Sequence, residues 1–487
     1  MNPVNLIQSI TQLTMAAVPA TPATPATHAL FARDAWLPDG WQRNVLLEWD
    51  EHGTLSAVTA GHAIPPAGIA QAAGPVLPGM PNLHSHAFQR ALAGLTEYRA
   101  SASDTFWSWR DLMYRHAAQI TPEGLSVIAR WLYIEMLKAG YTSVCEFHYV
   151  HHMADGQPYP QLAALAECVV DAAQASGIGL TLLPVLYQYS GFGRQAPRAE
   201  QQRFLNSPER LLRLLDEAGR ARPPHGGLRY GVAPHSLRAV SAESLQALLA
   251  GLDAHWPGAP VHLHIAEQQA EVKACLATYG ARPVQWLLEH FPVDARWCLV
   301  HATHLEASEV TALARSGACA GLCPSTEANL GDGVFAALAY LEAGGRFGIG
   351  SDSHICVDWR SELRLLEYAQ RLVRQQRNVL ASSNTPEVAE RLYRAALEGG
   401  ARATGRAVGA LAPGLRADWI VLDPDHPGVA ERAPRHWLSG IVFGEHGATP
   451  VRDVYAGGRK VVDNRQHCDE GQVYAEYRAM LARLPGG

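Results

Sequence analysis

From Leu30 to about residue 76, short segments such as Asn44-Val45-Leu46-Leu47-Glu48-Trp49 are separated by Asp-Glu-His-Gly and Pro-Pro turns, as in an antiparallel sheet. Residues 418–422 and 451–455, the latter followed by Gly457-Gly458, read the same way. Between these ends the pattern changes to apolar strand-like runs alternating with helical ones. The strand-like runs are 76–84, 142–150, 179–187, 228–236, 261–267, 297–304, 318–325 and 346–352. Helical stretches fill the gaps: 122–138 carries an apolar face and ends at Gly140, and 208–219 places Leu211, Leu212, Leu214 and Leu215 on one side. Eight alternations favour a closed (β/α)8 barrel over an open doubly wound sheet, and a barrel puts its chemistry at the carboxyl ends of its strands. The expected fold class is α/β. A TIM-like barrel spans 77–404, and a small β-sandwich domain is built from both terminal pieces, 28–76 and 405–487. Residues 1–27, with the repeat PATPATPATHA from Pro19, bury too little apolar surface to hold a fold and are expected to be a disordered tail.

Composition narrows the function. The 487 residues carry a net charge of −6 with no basic block, which argues against nucleic acid or an anionic membrane as partner. Lysine occurs only at Lys138, Lys273 and Lys460, so arginine supplies nearly all the positive charge. The eight cysteines are dispersed, several inside apolar runs, which points to a reducing compartment; Cys319 and Cys323 read as core residues because no second pair accompanies them. The first 27 residues hold no lysine or arginine and no unbroken apolar middle, unlike a secretory signal. A cytoplasmic protein is expected.

Chemistry gathers at the strand ends. His84-Ser85-His86 places two imidazoles on one face of an extended backbone, where they can share a metal ion. Alone, such a pair also occurs at ordinary strand ends. Here it is followed by His264-Ile265-Ala266-Glu267, His301 and Ser351-Asp352-Ser353-His354, each ending its own apolar run. The order H-x-H, H-x-x-E, H, D resembles the amidohydrolase superfamily of metal-dependent hydrolases and deaminases. The stretches PNLHSHAFQRALAGLTEYR, FWSWRDLMY, CEFHYVHH, GVAPHSLRAV, HLHIAEQ and CPSTEANLGDG resemble more closely its formimidoylglutamate deiminases, over about residues 30 to 470.

Three neutral imidazoles, one carboxylate and an open position suit a hydrolytic zinc ion, with His84, His86, His264 and Asp352 as the ligand set and one ion per subunit. The same donors could hold another divalent transition metal. The resemblance implies that Glu267 carries a proton from the attacking water to the departing nitrogen, that Asp352 accepts the water's proton, and that His301 orients the water or serves as a fifth ligand. His354 is expected to be supporting or surface structure. His262 alternates with His264 and should point away.

Arginine's planar fork matches carboxylates, and Arg110 and Arg238 lie on the face where a dicarboxylate would sit. By the same resemblance Gln89, Tyr149 and His235 are further substrate contacts. Phe106, Trp107 and Trp109 read as packing or as a lid, and Asn329, Gly331 and Gly333 as loop formers. The implied reaction is hydrolytic deamination of N-formimidoyl-L-glutamate to N-formyl-L-glutamate and ammonia, by a homodimer on family grounds alone. The competing expectations are a deaminase of a purine, pterin or other ring amidine, and a non-catalytic binding scaffold, whose mark would be a lost ligand.

Overall fold

Gly79 divides the first predicted strand. The computed structural model, which describes residues 28–99, 104–444 and 447–483, ends one strand at Val76–Pro78 and begins another at Met80–Ser85. A Cβ at residue 79 would stand 2.2 Å from the Thr142 side chain, so the chain passes there only as glycine. Val76–Pro78 joins the sheet formed by the chain's ends, and Met80–Ser85 opens the barrel. The expected tail, 1–27, lies outside the described residues.

The terminal pieces share a nine-stranded sheet, in which Trp419–Leu422 pairs antiparallel with Val76–Pro78 and so joins the C-terminal strands to His28–Leu37 and Gly40–Trp49. The sandwich is one continuous sheet folded over itself. Thr54 bridges Arg416, and the rings of Trp49 and Trp419 meet at 5.1 Å around a core that includes Leu30, Val45, Leu47 and Val421. The C-terminal piece also holds helices that its alternating strands did not announce. One of them, Glu470–Leu481, packs on the barrel helix Pro122–Ala139 through Trp131 against Tyr474 and Tyr477, and ion pairs Arg130 to Asp469 and Lys138 to Glu470 flank the contact.

The barrel's parallel strands are Met80–Ser85, Tyr141–His148, Gly179–Leu186, an interrupted fourth (Leu228–Tyr230 and Ala233–Pro234), Val261–Ile265, Trp297–His301, Cys319–Leu322 and Arg346–Ile349. Single bridges close the ring. Val232 to Val261 and Ser236 to His264 join the fourth strand to the fifth, and Ser85 to Asp352 joins the first to the eighth. The fourth strand breaks at Gly231, where a Cβ would lie 2.4 Å from the Pro260 carbonyl oxygen.

Outer helices follow their sequence signals. Pro122–Ala139 starts under Thr121, whose hydroxyl accepts from the Gly124 N–H at 3.0 Å, and stops at Gly140 with φ 100°. It buries Leu125, Ile128, Leu132 and Leu137, each contributing about 1.5–3 kcal/mol relative to exposure. CPSTEANLGDG departs from its expected role, since Pro324–Leu330 is a helix with Pro324 in its first turn and Gly331 at its end.

The helix Val388–Thr404 lies against the first and eighth strands through two glycines. A Cβ on Gly399 would fall 1.9 Å from the Phe347 carbonyl oxygen, and one on Gly400 2.9 Å from the Pro81 side chain. Gly399→Ala should therefore push the helix off the seam and cost about 1–3 kcal/mol, read as a lower melting temperature of the purified protein; an unchanged melt would refute this packing.

Candidate metal centre and pocket

The first strand delivers His84 and His86 to one face, the fifth delivers His264, and Asp352 follows the eighth. Their side-chain donor atoms lie within 4.8 Å of one another. His84 Nε2 is 3.0 Å from His264 Nε2, and Asp352 Oδ1 is 3.3 Å from both His84 Nε2 and His86 Nε2. Ligands at about 2.0–2.1 Å from a tetrahedral ion stand about 3.3 Å apart, so the spacing matches an ion at the centre.

Protonation makes the same point. His86 Nδ1 donates to the Phe147 carbonyl at 3.0 Å and His264 Nδ1 to the His235 carbonyl at 3.2 Å, which leaves both Nε2 atoms as lone pairs aimed inward. Only His84, whose Nδ1 has no partner, can carry an Nε2 proton, and that proton serves one acceptor. A cation serves all of them. Burial holds the His84 imidazole down at about 3 and His264 well below its ordinary value, so both are neutral ligands. Burial alone would raise Asp352, but hydrogen bonding from His84 and the charge of His301 outweigh it and keep the carboxylate ionised.

Backbone strain concentrates here. Ala266 (φ 51°), His301 (φ 67°), Ala302 (φ 47°), Asp352 (φ 45°) and His354 (φ 62°) are left-handed residues other than glycine at strand ends, each costing about 1–3 kcal/mol. The turn after the fifth strand is pinned by Glu271, whose carboxylate accepts from the N–H groups of Ala266 and Glu267, both at 3.1 Å.

Glu267 and His301 stand beside the cluster. His301 Nε2 is 3.7 Å from Glu267 Oε1 and 3.8 Å from Asp352 Oδ2, while its Nδ1 donates to Glu327 Oε1 at 3.3 Å. Burial pushes Glu267 up to about 7. Burial would lower His301, but Glu267, Glu327 and Asp352 around it raise it well above its ordinary value.

Several residues that the motif reading passed over hold this arrangement. Glu146 accepts from Ser85 Oγ and the Ala87 N–H at 2.6 Å each and from Tyr133 at 3.2 Å. Glu327, in the helix expected as a loop, orients His301. Burial beside Glu267 raises Asp332 to about 9, a neutral acid at the rim. His354 is fully buried support: it bonds Ser351 Oγ through Nδ1 and accepts the His86 N–H at Nε2. Glutamates scattered after separate strands give no local signal, although Glu327 four residues past Cys323 could have been read as a capped turn. His262 points outward as expected, bonding the Ala403 carbonyl at 2.8 Å.

A pocket opens over the cluster, lined by His86, Glu267, His301 and Asp352 together with Arg110 and Arg238. Arg110, on the helix Phe106–Ala117, stacks on Trp107 at 4.5 Å; Arg238 sits 5.7 Å from the same ring. Arg110 Nε and Nη1 and Arg238 Nε are buried with no hydrogen-bond partner among the described residues. Gln89 also lines the pocket; its Nε2 donates to Tyr149 at 3.0 Å and its buried Oε1 is unpartnered. His235 lines the wall beside Tyr149, with ring centroids 6.0 Å apart. Phe106 and Trp109 border the opening.

His264→Ala or Asp352→Asn should lower the divalent metal that copurifies by about tenfold or more, measured by elemental analysis, while Glu267→Gln leaves it unchanged. Full metal content in both ligand variants would contradict the site.

Comparison with known proteins agrees with this geometry. The chain is 50% identical over 456 residues to a formimidoylglutamate deiminase of Pseudomonas aeruginosa, covering 94% of this chain and 99% of that one. A solved amidohydrolase from Brucella melitensis superposes with a TM-score of 0.88 at 44% identity, covering 94% of this chain and 100% of that one. An adenosine deaminase from Xanthomonas campestris, solved with bound zinc, has the same fold, with a TM-score of 0.77 at 22% identity over 95% of this chain and 99% of its own. The pattern of the Amidohydrolase family matches residues 76–461, and the chain belongs to that family.

Proposed function

We propose that this protein hydrolyses the formimidoyl group of N-formimidoyl-L-glutamate, releasing ammonia and N-formyl-L-glutamate. The observation that carries the reading is that one pocket is lined both by metal-type donors and by two buried guanidinium groups with unused N–H donors. A ring amidine has no use for two such cations, whereas a dicarboxylate does. The ligand set is complete, which speaks against a scaffold without activity.

His84, His86, His264 and Asp352 would hold one zinc ion per subunit, or another divalent transition metal. When bound, the ion supplies Lewis acidity and lowers the pKa of a ligated water towards about 7. Starting from the amidinium, N–CH=NH2+, Glu267 would take one proton of the attacking water as oxygen adds to the amidine carbon and gives a tetrahedral centre. Glu267 then delivers that proton to the terminal nitrogen, which now carries three hydrogens. Asp352 takes the remaining O–H proton as the C–N bond breaks, so ammonia leaves and the oxygen becomes the formyl carbonyl, and Asp352 then releases its proton to solvent. Protonated His301, held through Glu327, stabilises negative charge that develops on that oxygen. Arg110 and Arg238 pair with the carboxylates, and Gln89 Oε1 accepts an amidine N–H that the product's carbonyl lacks. Tyr149 and His235 complete the wall. Eight free cysteines support a reducing, cytoplasmic setting. Among the described residues no helix is long and apolar enough to cross a membrane. A homodimer is part of the same proposal.

The test is ammonia release from formimidoylglutamate with and without a chelator, beside guanine and adenosine. We expect chelator-sensitive release from formimidoylglutamate alone; release only from the bases would overturn the substrate. Glu267→Gln should lower kcat by about 10²- to 10⁴-fold at full metal content, and undiminished turnover would remove its proton-carrying role. Arg238→Ala should raise KM by about 10- to 100-fold with little change in metal content, and an unchanged KM would remove Arg238 from the carboxylate site.

A further inference from the structure

Behind the two arginines lie two phenols and an amide whose hydrogen-bond count does not close. Gln201, fully buried on the short 3-10 turn Ala199–Phe204, accepts the Arg198 N–H on Oε1 at 2.8 Å. That bond fixes the amide's orientation and turns Nε2 towards the pocket. Nε2 donates to Tyr187 Oη at 2.8 Å and to Tyr114 Oη at 3.1 Å, which uses both of its protons. The two phenols are 3.2 Å apart, so one donates to the other. Two phenolic protons are present and one is consumed. Among the described residues no acceptor meets the second.

Both phenols are buried, and both line the same pocket as Arg110 and Arg238. The Arg110 guanidinium carbon lies 5.5 Å from the Tyr114 ring. An O–H without an acceptor in such a place is costly, by the same reasoning that applies to the unused N–H groups of the arginines. We propose that Tyr114 and Tyr187, locked by Gln201, form a further substrate-recognition element that donates one phenolic hydrogen bond to a carboxylate held by Arg110 and Arg238. Guanidinium N–H groups joined by a phenolic O–H select an anionic oxygen over an amide or amine, whose own N–H groups would face O–H and N–H at that point. Burial raises the Tyr187 phenol and so favours its protonated form. Gln201 is a positioning residue: it touches no substrate, but it supplies donors to both phenol oxygens and thereby forces the spare proton outward.

The inference rests on the dicarboxylate reading, so two readouts are needed on the metal-loaded protein: KM for formimidoylglutamate, and the Kd of glutarate by calorimetry. Tyr114→Phe/Tyr187→Phe should raise both by about 10-fold or more with kcat within about threefold, and at least one of the single variants should reproduce most of that effect. Gln201→Glu keeps the Arg198 bond but offers a carboxylate to both phenolic protons; it should weaken both readouts likewise. Unchanged KM and unchanged glutarate affinity in the single variants and in Gln201→Glu would overturn the proposal even if the double variant does not fold. A wild-type protein that binds glutarate tightly but releases no ammonia would sink the activity reading, and weaker glutarate binding by the variants would then still support this one. Failure of the wild type to bind either compound would overturn both.

Discussion

The chemistry of this molecule depends on a pair of backbone hydrogen bonds between strands far apart in the chain. The Asp352 N–H donates to the His84 carbonyl at 3.0 Å, and the His86 N–H donates to the Asp352 carbonyl at 3.2 Å. Together they close the barrel between its first and eighth strands and bring a carboxylate within reach of two imidazoles. The seam is braced by side chains with little freedom. Asn82 donates to the Ser351 hydroxyl at 2.6 Å, Ser351 bonds His354 at 3.0 Å, and His354 accepts the His86 N–H at 3.2 Å. Every member is buried, so removing any one strands a polar partner at about 1–3 kcal/mol. This network and the two glycines of the helix behind it explain why a strained backbone can be sustained at Asp352 and His354.

Once the seam is closed, one pocket combines lone pairs and carboxylates gathered around an inward point with the guanidinium groups of Arg110 and Arg238. In a site shielded from water such groups interact far more strongly than on the surface. Burial raises the carboxyls Glu267 and Asp332 to about 7 and about 9, and the charge of Asp352 adds to the shift.

Much of this architecture was legible in the residue pattern. Strand-like runs separated by helices named the barrel, and polar endings on four of those runs named the converging side chains, because a period of two and a strand terminus are local properties. Three features were not legible. The breaks at Gly79 and Gly231 fall where Thr142 and Pro260 leave no room for a Cβ, a packing constraint that a linear reading cannot see. Helices in the C-terminal piece are stabilised by packing on the barrel, as Tyr474 and Tyr477 are on Trp131. The second layer of the site, Glu146, Glu271 and Glu327, comes from separate segments whose carboxylates look like ordinary polar residues until the fold buries them, whereas His354 was expected as supporting or surface structure and is support. Arg110 and Arg238 were found through a resemblance, since in a chain whose basic residues are nearly all arginine no single one stands out.

Anomalous diffraction at the zinc edge from crystals of the purified, metal-loaded protein tests the central claim most directly. A single strong peak is predicted at about 2.0–2.2 Å from Nε2 of His84, His86 and His264 and from a carboxylate oxygen of Asp352. A well-diffracting, metal-loaded crystal with no peak there, or with the ion bound by a different set of side chains, would contradict it.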